Sequence, residues 1–308
     1  MENAELLPSK SEQSKKIMEA EKNMLIRQIM QMPDLPSPSP VMVRVIQLLR
    51  YDEVKVNELV KTIERDQSLV AQILKIINSG YYSLSQKIDN VNHAIALLGI
   101  QNLKQIVFSI SVMELFSSDE KNEWEHAYTS SLMITSMMSE NELPVATNLP
   151  MTALIHDLGK VVLQKFRPQK YKICRSNSEE KRHPIYIAED AIIKLNHAEI
   201  GSILMQKWNM TDDIIIPIKY HHRKDVPSEY VLETALLKFA NWVDCLVRNI
   251  PCNEPEREIM SASGIEEIDK DYWIRNHREL VCSIHNQNLY DPDAKDKKTN
   301  TKPVRGFR

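Results

Sequence analysis

Glycine is scarce in this chain: 6 residues of 308, about 2% where about 7% is usual. Turn-dense sheet proteins need glycine at many tight turns, so an all-β fold is excluded and a helical one expected. No run of about 18 uncharged apolar residues exists, and the opening MENAELLPSKSEQSKK is too polar for a signal peptide. The expected location is therefore the cytoplasm, with no membrane as partner. Cysteine is also sparse. Cys174, Cys245, Cys252 and Cys282 form no CxxC pair and carry no regular spacing, which argues against zinc knuckles and a disulfide framework and for reduced thiols. A formal charge of −3 gives no reason to expect nucleic acid as the main partner.

What the chain does have is apolar material, 43% of its residues, enough for one large domain or two small ones. Residues 11–32 place Met18, Leu25, Ile29 and Met32 at helical spacing among Lys and Glu, which predicts a helix, with residues 1–28 a candidate docking element. Pro33, Pro36, Pro38 and Pro40 then prevent helix continuation. This connector reads as a rigid entry segment, a PxxP ligand being the alternative.

Ser39 caps the next helix and Pro40 suits its first turn, with Val41, Val45, Leu48 and Leu49 buried. Asn57 and Asp66 are expected to cap two more, the second closed by Gly80, and helices from Val91 to Leu98 and from Leu103 to Leu115 follow, the break falling at Gly99. Residues 29–117 thus read as one helical bundle. Periodicity resumes at about 124–138, 150–166, 185–208, 212–222 and 229–248, with a polar insertion at 174–184 and a weaker helix at about 271–286. Residues 118–290 read as a second bundle with a C-terminal extension. The tail 291–308 lacks the apolar residues that could offset the entropy of ordering it and is expected to be mobile. No internal repeat is present. The fold class is all-α, two packed helical bundles.

Six of nine histidines fall between His126 and His222, and the run Ala153-Leu154-Ile155-His156-Asp157-Leu158-Gly159-Lys160 sets an imidazole beside a carboxylate inside an apolar stretch. Burying these without partners is costly. A divalent transition metal resolves the cost, since imidazole nitrogen and carboxylate can converge on one ion. His126 lies one helix earlier, and His197, the pair His221-His222, Asn241 and Asp244 lie on later helices able to close around the same point. Lys160 follows one turn on, where its ammonium can meet phosphate oxygens or simply pair with Asp157. Each histidine alone is also compatible with an ordinary hydrogen-bonded core or helix-end role.

The blocks LPSPSPVMVRVIQLL, LVKTIERDQSLVAQILKIINSGYYS and NVNHAIALLGIQNLKQIVFSISVMELF, followed by WEHAYTSSLM, ALIHDLGKVVL, NHAEIGSILMQKWNM and KYHH, resemble the HDOD domain, the HD-related output domain of bacterial signalling proteins. The resemblance covers about residues 29–240. It implies kinship with HD-type metal-dependent phosphohydrolases, whose ligands form an H, HD and D pattern, so that the second bundle should be HD-like. His126 matches the first histidine and His156-Asp157 the doublet. The final aspartate aligns with Asn241 in Phe239-Ala240-Asn241-Trp242-Val243-Asp244, leaving Asp244, one turn on, as a substitute. A neutral amide oxygen is a poorer ligand for a hard cation, so tight binding of two metals is not expected. The Gly-Tyr-Pro signature of the cyclic di-GMP phosphodiesterases is absent: His221-His222 is followed by Arg223-Lys224-Asp225-Val226-Pro227.

Two functions follow from the resemblance. The first is a regulatory module acting through an unidentified signalling protein partner, the metal site being residual. The alternative is a metal-dependent phosphohydrolase acting on a phosphoester or nucleotide, with metal at His126, His156, Asp157 and Asn241 or Asp244, and with Lys160, His197, His221 and His222 serving catalysis or a second ion.

Overall fold

The computed structural model describes residues 10–50, 56–79, 82, 86–141, 143, 145–146, 148–265, 267–287 and 289–290. Among these residues there is no strand. The expected closing of a helix by Gly80 and the mobile tail at 291–308 lie outside them, as do residues 1–9 of the docking element and the side chains of Leu48 and Leu49.

Helix α1 (Lys10–Met30) is followed by the proline connector and by α2 (Pro40–Arg50), α3 (Val56–Glu64), α4 (Gln67–Ile77) and α5 (Val91–Met113). Ser39 Oγ accepts from Met42 N at 3.2 Å, as its capping role requires. Asp66 likewise accepts from the amides of Ser68 and Leu69. Asn57, expected as a cap, falls inside the first turn of α3, which already begins at Val56. At Gly99 the backbone leaves the helical region with φ +77° and ψ 164°, so α5 is two helical pieces joined by a kink that a side chain would resist. Helix α5 is the spine of the first bundle, against which α2, α3 and α4 pack. Although α5 is long and apolar enough to cross a membrane, more than half of its most apolar window is buried within the fold.

The second half of α1 does not stand apart. Ile29 is fully buried, Lys22 pairs with Glu199, and Lys207 Nζ donates to the carbonyl of Met30 at 3.3 Å. Met18, expected on the same buried stripe, is 60% exposed. The connector is held too: Leu35 is buried, and Trp208 Nε1 donates to Pro36 O at 3.2 Å.

A short 3-10 turn (Ser118–Glu120) leads into α6 (Lys121–Asn141), α7 (Leu149–Ile155), α8 (Leu158–Phe166), α9 (Pro168–Lys181), α10 (Ile185–Ile192), α11 (His197–Lys207), α12 (Asp212–Tyr220), α13 (Val231–Val247), α14 (Arg257–Ala262) and α15 (Lys270–Gln287). Three expectations are corrected here. The stretch 150–166 is two helices, interrupted at His156-Asp157. The polar insertion at 174–184 is instead the end of α9, which buries only Tyr171, Cys174 and Ser178; these lie three and four residues apart, a stripe too narrow to show as apolar periodicity. The stretch 185–208 breaks after α10, where Lys194 turns to φ +71°. One hydrophobic core runs from Ile29 to Tyr290 through both bundles. A smaller one, around Met137, Phe239 and Trp273, joins α6, α13 and α15.

Candidate metal centre

The break between α7 and α8 exists to turn two side chains inward. His156 and Asp157 follow the last helical residue of α7, and Asp157 sits at φ −99°, ψ 4°, ahead of α8. The turn is clamped by close backbone approach: α8 packs on α11 at Gly159, where a Cβ would fall 2.0 Å from the carbonyl oxygen of His197. Glycine there brings the start of α11, and with it the His197 ring, against Asp157. His126 arrives from α6, which packs on α7, and the pair His221-His222 from the end of α12, which packs on α11.

Of the candidates, His126, His156, Asp157, His197, His221 and His222 converge. Their ligand atoms form two sets sharing Asp157: His126, His156 and Asp157, and Asp157, His197, His221 and His222. In the first set His126 Nε2 lies 3.4 Å from His156 Nε2, and Asp157 Oδ2 lies 3.4 Å from each. An equilateral triangle of that edge holds an ion about 2 Å from all three corners, the bond length of zinc to nitrogen or carboxylate oxygen. In the second set Asp157 Oδ1 is 3.2 Å from His197 Nε2 and 3.7 Å from His221 Nε2, and His197 Nε2 is 2.9 Å from His222 Nε2. Asp157 thus offers one oxygen to each set.

The ring tautomers fit a cation. His156 Nδ1 donates to the carbonyl of Ala153 and His221 Nδ1 to that of Ile218, both at 2.6 Å. His126 Nδ1 donates to Asp244 Oδ2 and His197 Nδ1 to Glu189 Oε2, again at 2.6 Å. Each of these rings therefore has its Nδ1 engaged and turns its Nε2 toward Asp157, the arrangement in which a metal ligand is oriented by its other nitrogen. Asp157 Oδ1 and His221 Nε2 are buried without a well-formed hydrogen bond, a cost that a bound ion would remove. The donor set, imidazoles with one bridging carboxylate, suits a divalent transition metal.

Protonation follows these contacts. Burial presses the His126 ring toward neutrality, but Asp244 and Asp157 outweigh it and raise its pKa to about 9. His197 is carried to about 9 in the same way, Glu189 and Asp157 overcoming burial. His156 drops to about 3 because burial dominates, with the neighbouring His221 and His126 adding to it. Burial would raise Asp157, yet the charges of His156, Lys160 and His197 hold it well below the usual carboxylate range. Metal binding here would displace protons from His126 and His197.

Asp244 does not join the cluster. Its carboxylate accepts from His126 Nδ1, from Thr129 Oγ1 at 2.5 Å, from His277 Nε2 at 2.7 Å and from Arg248 Nε at 2.7 Å. Its part is to hold the His126 ring, so it does not substitute for the missing final aspartate. Asn241, buried on α13, lines the adjoining cavity, and its Oδ1 accepts from the Cys245 thiol at 3.4 Å. Lys160 Nζ meets Asp157 Oδ2 at 2.5 Å, the plainer of its two expected roles, and also lines the cavity.

That cavity measures about 370 Å³, within the range of small-molecule sites. His126, His197 and His222 line it together with the cations Lys160, Arg175 and Arg182 and the carboxylates Glu123 and Glu179, Arg175 lying 3.6 Å from Glu123. Sequence reasoning missed Glu189, Thr129, Arg248 and His277, which orient the ligands. None lies next to a histidine in the chain, and only tertiary packing brings Asp244 to His126 or Glu189 to His197.

A model of the HDOD domain matches residues 35–224. The chain belongs to the HDOD family. An HDOD protein of unknown function from Geobacter sulfurreducens superposes with a TM-score of 0.68 at 20% identity, covering 91% of this chain and 98% of that one. A provisionally assigned signal transduction protein from Marinobacter aquaeolei gives 0.73 at 17% identity over 89% of this chain and 65% of its own. A provisionally assigned phosphohydrolase from Shewanella amazonensis gives 0.65 at 16% identity, covering 88% and 97%. At these identities the likeness establishes the HDOD fold. An uncharacterised protein of Treponema pallidum is 24% identical over 239 residues, 76% of this chain and 47% of that protein. The Bacillus subtilis protein YuxH is 35% identical over 77 residues, 25% of this chain and 19% of its own length. The chain thus spans about half, or less, of the curated relatives it matches. Asn241, Asp244, Arg248 and His277 all lie beyond the residues matched by the HDOD model.

Proposed function

We propose that this HDOD protein is a metal-dependent phosphohydrolase acting on a phosphoester of about nucleotide size. The observation that carries the reading is Asp157, which presents one oxygen to each of two histidine sets beside a cavity that His126, His197 and His222 line together with Lys160, Arg175 and Arg182. His126, His156 and Asp157 would hold one divalent ion, and Asp157, His197, His221 and His222 a second; neither set uses Asn241, so the expectation against two metals, which rested on that residue, is given up here. Such a pair supplies Lewis acidity toward a phosphoryl oxygen and a water nucleophile active near neutral pH. The chain's own groups do the rest. Glu189 and Asp244 fix the tautomers of His197 and His126, Lys160 with Arg175 and Arg182 binds and orients the phosphate, and the burial of His156, Asp157 and His221 keeps bulk water from them. Without Gly-Tyr-Pro after His222, cyclic di-GMP is not the substrate proposed.

The test is metal analysis of protein purified without chelator and then supplied with Mn²⁺, with turnover of a panel of phosphoesters and nucleotides. Wild type should bind metal and release phosphate or alcohol from at least one substrate; His156→Ala and Asp157→Ala should lose turnover by at least about 10²-fold. Metal binding with no turnover anywhere on the panel would refute the enzyme and leave the ion structural or sensory.

A second reading, a regulatory module for a signalling partner, rests on a specific feature. Asn241 stands where the metal pattern needs a carboxylate, and α1 exposes Ile17, Met18 and Met24 at about 60% each. Replacing these three by Glu, rather than deleting residues 1–28, tests it without unpacking Ile26 and Ile29. Partner capture in a pull-down should then be lost while the melting temperature is kept.

A further inference from the structure

The mechanism makes no use of two thiols in the cavity wall. Cys245 is on the last turn of α13 and Cys252 is seven residues later, and the chain between them doubles back. Asn249 adopts a left-handed φ of +57°, and Ile250 N donates to the carbonyl of Cys245 at 2.8 Å, an αL-type helix ending. Pro251 and Cys252 follow directly; the Cys252 thiol donates to Asn253 O at 3.6 Å, and Cys245 and Cys252 lie near enough for each thiol to perturb the other. Both line the cavity above the histidines. Cys245 is buried and Cys252 half-buried, so an oxidant entering the cavity reaches Cys252 first. Cys174, buried elsewhere, and Cys282, exposed on α15, have no such companion in the cavity.

We propose that Cys245 and Cys252 form a reversible disulfide, a redox-modification site in the wall of the metal cavity whose oxidant is a hydroperoxide. The sulfur of Cys252 attacks the O–O bond of hydrogen peroxide, forming S–O and releasing water. The sulfur of Cys245 then attacks that of Cys252; S–S forms, S–O breaks, and the leaving hydroxide takes up the Cys245 thiol proton as a second water. Two electrons pass from two thiols to one peroxide, and a dithiol reductant reverses the change. The consequence falls on Asn241. In the dithiol state the Cys245 thiol donates to Asn241 Oδ1 at 3.4 Å; the disulfide has no proton to give, and the amide oxygen is free to turn into the cavity.

The experiment uses the full chain, reduced and then treated with one equivalent of hydrogen peroxide. Trypsin cuts after Lys238, Arg248 and Arg257, so the two cysteines fall on separate peptides, 239–248 and 249–257. The expected result is a cross-link between these peptides that dithiothreitol removes and Cys252→Ser abolishes. Oxidation of Cys252 to sulfinic acid without the cross-link, or preferential oxidation of Cys282, overturns the proposal. The consequence for Asn241 rests on the metal reading above and has its own arm: Mn²⁺ titrated into peroxide-free oxidised and reduced protein. Oxidised protein should bind roughly two- to fivefold more tightly, the size of one weak hydrogen bond, and Asn241→Ala should erase the difference. Equal affinities overturn the link to Asn241. Failure of both forms to bind Mn²⁺ overturns the metal reading and the Asn241 link with it, while the cross-link still decides the thiol pair.

Discussion

Replacing Gly159 by Ala tests whether close backbone contact assembles the centre. A Cβ at 159 would lie 2.0 Å from the carbonyl oxygen of His197, 2.8 Å from its carbonyl carbon and 2.9 Å from the amide nitrogen of Gly201. All three are backbone atoms, so no side chain can swing aside; α8 and α11 must separate by about 1 Å or more to restore ordinary contact. Overpacking of this kind costs about 1–3 kcal/mol, and the upper end applies where backbone must move. At about 2–4 °C per kcal/mol for a chain of this size, melting should fall by about 6–12 °C. The separation also draws His197 Nε2 away from Asp157 Oδ1, now 3.2 Å apart, whereas His126 and His156 do not depend on α11. Metal analysis should therefore show loss from the second set before the first. Gly201→Ala is the matched control. Its Cβ would meet Ile218 Cγ2 at 3.5 Å and Gly159 N at 3.6 Å, ordinary contacts, and alanine gains up to about 1 kcal/mol in a helix interior. Calorimetry showing Gly159→Ala as stable as wild type, or both variants equally weakened, would refute the reasoning.

Asp244→Asn keeps the shape but removes the charge shared by His126, Arg248 and His277. Stability to denaturant should drop by about 3 kcal/mol and metal affinity at the first set by about 10–100-fold by calorimetric titration; an unchanged affinity would make Asp244 purely structural. Mn²⁺ at about 100 times its dissociation constant should stabilise the fold by about 2.7 kcal/mol, a rise in melting temperature of about 5 °C or more that EDTA reverses. The same rise in Asp157→Ala would place the ion elsewhere.

Local sequence determined the helices, because each depends on neighbours a few residues apart. The scarcity of glycine, the caps at Ser39 and Asp66, and the kink at Gly99 could all be read without coordinates. The ligand residue types were legible for a similar reason: a His-Asp doublet in an apolar stretch demands partners. The break that turns His156 and Asp157 inward was not legible, since α7 and α8 are each apolar at helical spacing and the nearest glycine, Gly159, falls inside α8 and not at the break. Neither was α9, whose buried stripe is three residues wide.

Tertiary structure alone decided which oxygen of Asp157 serves which histidines, and that Asp244 supports His126 rather than binding an ion itself. Those contacts join residues up to 118 positions apart, and direction in space is set by how helices cross, a quantity that periodicity along one helix does not carry. The approach of α8 to α11 at Gly159 is of the same kind. In the sequence it is one small residue; in the fold its lack of a side chain lets an imidazole on α11 meet the carboxylate ahead of α8.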